Sequence, residues 1–170
     1  RVRRPLRTVL GYSSGAVPTI LTGLLPEQHG QWSFFYYSPS TSPFRALAPL
    51  RVLPHWIAGH HRLRNPLSRV VRRAAGFTGY FNLYAVPFAR LPLFDTCEKR
   101  DLFAPGGIGG HPTIFDAVRG AGLRLHVSNW QATEEVNLQQ AERAVRDPKL
   151  AFAFLYLPAL DGVLHLGGHK

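Results

Sequence analysis

The sequence predicts an α/β fold, a three-layer α/β/α sandwich built on a mostly parallel sheet. Two patterns carry that expectation. From residue 112 to residue 157 the pattern runs helix, strand, helix, strand, the rhythm of parallel strands joined by helical crossovers. Residues 150–157 (LAFAFLYL) form an uninterrupted apolar run, the mark of a strand covered on both faces. A third observation narrows the class. No apolar run approaches the ~20 residues of a membrane span, and 45% hydrophobic with 18% charged residues is ordinary for a globular domain.

In chain order, residues 6–10 (LRTVL) read as a short strand. Ser13 and Ser14 follow on a turn between Gly11 and Gly15, and a short apolar run then suits a helix that Gly23 and Pro26 stop. Taken alone, a Ser pair before a helix is a cap. The same position places a hydroxyl beside unpaired backbone N–H groups and the positive end of the helix dipole, where a phosphate or sulfate is held.

Residues 31–43 are aromatic and then turn-rich, suited to core packing or to a pocket wall beside the turn. Residues 44–76 read as a basic helical insert, its helices separated by Pro54 and Pro66, with His55, His60, His61 and five arginines between 62 and 73. Its expected role is a solvated face. Adjacent His60 and His61 cannot both enter one site, which removes a metal reading there. Residues 77–103 predict loops with short strands. Residues 104–112 are glycine-rich but lack the Lys-Ser/Thr of a phosphate-cradling loop, and so read as a flexible connector. Residues 112–121 predict a helix presenting Ile114, Phe115 and Val118, residues 123–127 a strand, and residues 133–146 an amphipathic helix capped by Thr133.

Beyond the buried strand stand Asp161 and His165, four apart, at the strand end where open α/β sheets bind ligands. Carboxylate and imidazole are both good zinc ligands and share one face of a helical turn. The lone Cys97 excludes an internal disulfide and a cysteine-based zinc site. The formal net charge of +10, concentrated at residues 1–7 and 60–73, attracts anions. Charge alone does not choose among phosphate esters, nucleic acid and a membrane surface. The aromatic-plus-basic spacing of a nucleic-acid module is not evident, and no specific nucleic-acid partner is expected.

Two stretches together resemble the type I phosphodiesterase/nucleotide pyrophosphatase family of the alkaline phosphatase superfamily. Thr22-Gly23-Leu24-Leu25-Pro26-Glu27-Gln28-His29-Gly30 matches the segment that closes that family's nucleophile helix, and Tyr156, Asp161, His165 and Gly168 match its second motif. Gly15 stands where the family often has Pro, and Leu164 replaces the Gly before its His. The resemblance implies one alkaline phosphatase-like catalytic domain spanning residues 1–170, with the insert at about 44–76 inside it. It implies a hydrolase of small anionic phosphate esters with a Ser nucleophile and two divalent metal ions, zinc being the expected metal. By the family's spacing the nucleophile is Ser13, which would also bind a metal, with Ser14 as the alternative; Asp161 and His165 would bind one ion. His29 reads as structural. The family's other ligands, an Asp before the nucleophile and an Asp-His pair and a His further on, are not in this chain. The chain begins at Arg1 and contains no Met, the pattern expected of an internal stretch truncated at both ends and a poor catalyst by itself. Many members of the family act outside the cytoplasm, in the periplasm or the extracellular space. A sulfatase needs Arg four residues after its modified Cys or Ser, which neither Ser13 nor Ser14 has. That argues against a sulfatase; the alternatives are a sulfatase-like or phosphomonoesterase member of the same superfamily and a non-catalytic basic anion-binding module.

Overall fold

A computed structural model describes residues 13–52, 61–83, 86–157 and Ala159. The expected strand at 6–10, Pro54, and the Asp161–His165 turn lie outside the described residues. The fold is mixed α/β, with two small sheets among the described residues, one of them parallel. The chain divides into two compact units, residues 1–113 and 114–170.

In the first unit α1 (Ser13–Thr22) is followed by α2 (Pro26–His29), and strand β1 (Phe35–Tyr37) pairs antiparallel with β2 (Phe94–Thr96), Tyr36 opposite Asp95. Between the strands come a 3-10 segment (Arg45–Val52) and α3 (His61–Ala74). Phe44, Val71, Phe81, Leu83, Phe88 and Leu91 form the core, and the Phe44 and Phe81 rings stack with centroids 5.8 Å apart. Phe35 packs on both rings and serves the core, while Tyr37 from the same aromatic run faces solvent.

Three expectations change here. Pro66 does not separate two helices; α3 runs through it, since its fixed φ is helical and the cost is one missing N–H to the Arg62 carbonyl. The face of α3 is not wholly solvated. Arg64 is buried, lies 4.5 Å over the Phe88 ring and donates to the Leu83 carbonyl. Ser68 beside it accepts the Leu83 N–H and donates to the Arg64 carbonyl at 2.7 Å, with Asn82 Oδ1 3.1 Å from the same hydroxyl. The glycine-rich segment is a chain of packed turns: Ile108 is fully buried, and a Cβ on Gly107 would stand 1.9 Å from the Asp101 carbonyl oxygen.

One buried carboxylate organises the strand pair. Asp95 Oδ2 accepts from Thr41 Oγ1 (2.6 Å), Lys99 Nζ (2.7 Å) and Tyr36 Oη (3.2 Å), while Oδ1 accepts the Thr96 N–H. Those donors give a fully buried charge the partners it needs. Burial, with the Asp95 charge second, pushes the Tyr36 phenol up from its ordinary range.

The second unit follows the predicted order: α4 (Ile114–Gly120), β3 (Arg124–Val127), α5 (Glu134–Val145) and β4 (Leu150–Phe154), with β3 and β4 parallel. Phe115 is fully buried and meets Phe154 edge-on at 5.3 Å and Phe152 at 6.3 Å. Thr133 caps α5, its Oγ1 accepting the Val136 N–H. The strand at 150–154 is not covered on both faces within the described residues. Its burial alternates, with Phe152 and Phe154 turned toward α4 and Ala151 and Ala153 exposed.

Candidate functional site

The local chemistry of residues 13–31 positions the candidate nucleophile. Ser13 is the first residue of α1 and is exposed, whereas Ser14 is buried and its Oγ has no hydrogen-bond partner among the described residues. Pro18, buried in α1, lacks the N–H that the Ser14 carbonyl would otherwise accept. The face of α1 that carries Ser13 continues through Val17 to the exposed Ile20, seven residues on.

The end of α1 is closed in two ways. Thr22 Oγ1 donates to the Pro18 carbonyl at 2.7 Å and accepts the Leu24 N–H. Gly23, at φ 72°, returns its N–H to the Thr19 carbonyl, a left-handed cap that a side chain would strain. Pro26 then opens α2, where Gln28 Oε1 accepts the Leu25 N–H.

His29 locks α2 back onto α1. Its Nδ1 accepts the Gln31 N–H at 3.0 Å, so the proton of the neutral ring sits on Nε2. Nε2 donates to Thr19 Oγ1 at 3.0 Å, and that hydroxyl donates onward to the Gly15 carbonyl at 3.1 Å. The ring is buried, and burial, with the charge of His111 second, holds it below its ordinary pKa. The geometry gives His29 a bracing role: it ties the first turns of α1, through Gly15, to the chain at Gln31. The roles of Thr19 and Gln31 carry little signal in the sequence; for Thr19 it is a hydroxyl one turn before Thr22.

An open cleft of about 410 Å³ is lined by Gln31, Cys97, Lys99, Arg100 and the turns at 106–110. Ser13 does not line it. Gln31 donates through Nε2 to the Cys97 carbonyl, which ties the brace to β2. Next to the cleft, Glu98 is buried, and burial, with Asp101 second, pushes its carboxyl up to about 7.

In the second unit the carboxyl ends of β3 and β4 are joined by two polar side chains. Ser128 donates its N–H to the Phe154 carbonyl and accepts the Tyr156 N–H on Oγ. The fully buried Asn137 accepts the Asn129 N–H and donates to the carbonyls of Asn129 and Tyr156. The backbone is thereby fixed at Tyr156, five positions before Asp161. Asp161 and His165 themselves lie outside the described residues, and among the described residues no three His, Cys, Asp or Glu side chains gather to hold a metal. No protein-family model matches the sequence, and comparison with curated proteins and with solved structures gives no match either.

Proposed function

We propose that the chain belongs to a metal-dependent phosphoric ester hydrolase resembling the type I phosphodiesterase/nucleotide pyrophosphatase family, with Ser13 as nucleophile and Asp161 and His165 as ligands of one of two divalent ions. The matching arrangement is a three-layer α/β/α sandwich of the alkaline phosphatase kind, in which the parallel β3–β4 pair forms part of the sheet. The observation that carries the reading is the pair of ordered motifs, one closing the helix that begins with Ser13 and one following the end of β4. The exposure of Ser13 against the burial of Ser14 supports the choice between the two hydroxyls, because a nucleophile must reach its substrate.

The donor types fit the ions: a carboxylate and an imidazole four residues apart suit zinc, and a hydroxyl at a helix start suits an anion beside it. Bound divalent ions supply Lewis acidity and lower the pKa of a coordinated hydroxyl. The chain's own contributions are the Ser13 hydroxyl, the positive end of α1 facing the phosphate oxygens, and the His29–Thr19 brace that fixes the helix start.

The test is Ser13→Ala in the intact protein, assayed on a phosphodiester with zinc content measured in parallel. Diester hydrolysis is expected to fall to background with bound metal nearly unchanged, while Ser14→Ala keeps activity if it folds. Turnover retained in Ser13→Ala overturns the nucleophile assignment.

A further inference from the structure

We propose that the outer face of α3 docks onto an anionic membrane surface, an interaction independent of the hydrolase reading. The helix has 14 residues, His61–Ala74, with five arginines and no acidic residue. Packing decides which way each faces. Arg64, Leu67, Ser68 and Val71, spaced i, i+3, i+4, i+7, turn inward, Leu67 and Val71 against the aromatic core.

At 100° per residue the opposite side then carries Arg62, Arg69 and Arg73 within about 20° of one line. All three are exposed, and Arg69 and Arg73 have no carboxylate partner among the described residues. Arg119 and Arg124, in contrast, are each paired with an aspartate.

Beside the arginine line lie Leu63 and Val70, one face apart from the core and 36% and 63% exposed. That combination selects the partner. A single-stranded nucleic acid is held by arginines interleaved with aromatic platforms, and α3 has no Phe, Tyr or Trp. An anionic lipid surface offers phosphates and carboxylates to the arginines and an acyl boundary to the adjacent aliphatic side chains. The charge is complementary and the apolar stripe has a use.

The experiment is co-sedimentation of the full chain with vesicles of mixed phosphatidylcholine and phosphatidylserine, against vesicles of phosphatidylcholine alone. The mixed vesicles are expected to bind the protein and to release it as salt is raised. Each arginine near such a surface contributes about fivefold, so Arg69→Ala with Arg73→Ala weakens binding about 25-fold. Arg69→Lys with Arg73→Lys keeps most of the affinity, and Val70→Ser loses several-fold by removing apolar contact. These positions face solvent, so circular dichroism should be unchanged in all variants. Equal binding to both vesicle types, or a double alanine variant that binds like the parent, overturns the proposal. So does single-stranded DNA binding that needs Arg69 and Arg73 but ignores Val70→Ser, because the partner is then a polyanion.

Discussion

Residues 13–113 and residues 114–157 each cover a short strand pair, and they do it with different materials. The first unit builds a cluster of six apolar core residues, four of them within 2% of full burial, and also buries ionisable side chains: Asp95 in its shell of donors, Arg64 over Phe88, and Glu98. Among its described residues the second unit has one fully buried large apolar side chain, Phe115, and one fully buried polar one, Asn137. Redundant apolar packing tolerates loss of one ring, because neighbours share the space. A single buried ring flanked by half-buried ones tolerates it less. Buried charge, in turn, makes the first unit answer to pH in a way the second does not.

The largest expected effect tests that single ring. Phe115→Ala removes the contact that both Phe152 and Phe154 make with α4, and truncating a buried Phe costs about 3–5 kcal/mol. Phe44→Ala belongs at the lower end of that range, since five other buried apolar residues share its cluster, whereas the rings beside Phe115 are only half-buried. Peptide-resolved hydrogen exchange should show protection lost across residues 114–157 in the first variant and a smaller change within residues 13–113 in the second. The contrast fails if Phe44→Ala is the costlier of the two.

A slightly smaller effect comes from Glu98. Its carboxyl is pushed from 4.5 up to about 7, so between those values the folded protein holds a proton that the unfolded chain has released. Stability from this group is therefore complete below about pH 4.5 and is lost as pH rises toward 7, a span worth about 3 kcal/mol. Glu98→Gln should raise the unfolding free energy measured in urea at about pH 8 by up to that amount and change it little at about pH 4.5. In the second unit Asp147 and Glu135 are held below their ordinary values, Asp147 first by the Lys149 N–H and Glu135 first by its own backbone N–H, and both are solvated. They give no loss on the alkaline side, so the gain should come from Glu98 alone.

The same contrast explains what could be read in the sequence. In the second unit each element follows from local chemistry: the Thr133 cap, the stop before Pro148, and the spacing of Phe115 and Val118. The exception is the coverage of residues 150–157, where an apolar composition suggested two buried faces and the alternation of a half-covered strand was found. In the first unit the helix stop at Gly23 was legible because a left-handed cap is a local signal. The donors of Asp95 were not, since Tyr36 and Thr41 stand 59 and 54 residues away from it and leave no period. Nor was the seat of Arg64 on Phe88, because an arginine in a basic run reads as solvated until packing decides its face. At the site, Ser13 and His29 were singled out from the sequence, but the Thr19 and Gln31 contacts that hold His29 depend on where α2 folds back.

The smallest effect sharpens that last point. Thr19→Val keeps the shape of the side chain and removes the oxygen to which His29 Nε2 donates, leaving a buried N–H without a partner. Such a loss costs about 1–3 kcal/mol, and here the lower end applies because Nδ1 keeps its bond from the Gln31 N–H. The pH dependence separates this brace from an ordinary packing defect. The folded ring is held below 6.5 by burial first and His111 second, so the unfolded chain takes up the proton earlier as pH falls. The stability it gives is complete above about pH 6.5 and is lost on acidification through the folded value, opposite in sign to Glu98. Protonation also puts a second donor at Nδ1, facing the Gln31 N–H, which breaks the other half of the brace. Parent and Thr19→Val should therefore differ by about 1 kcal/mol in neutral buffer and converge as the brace opens in acid. A gap that stays constant down to acid pH would mean that Thr19 acts through α1 alone, by its bond to the Gly15 carbonyl, and that His29 does not hold the start of the helix in place.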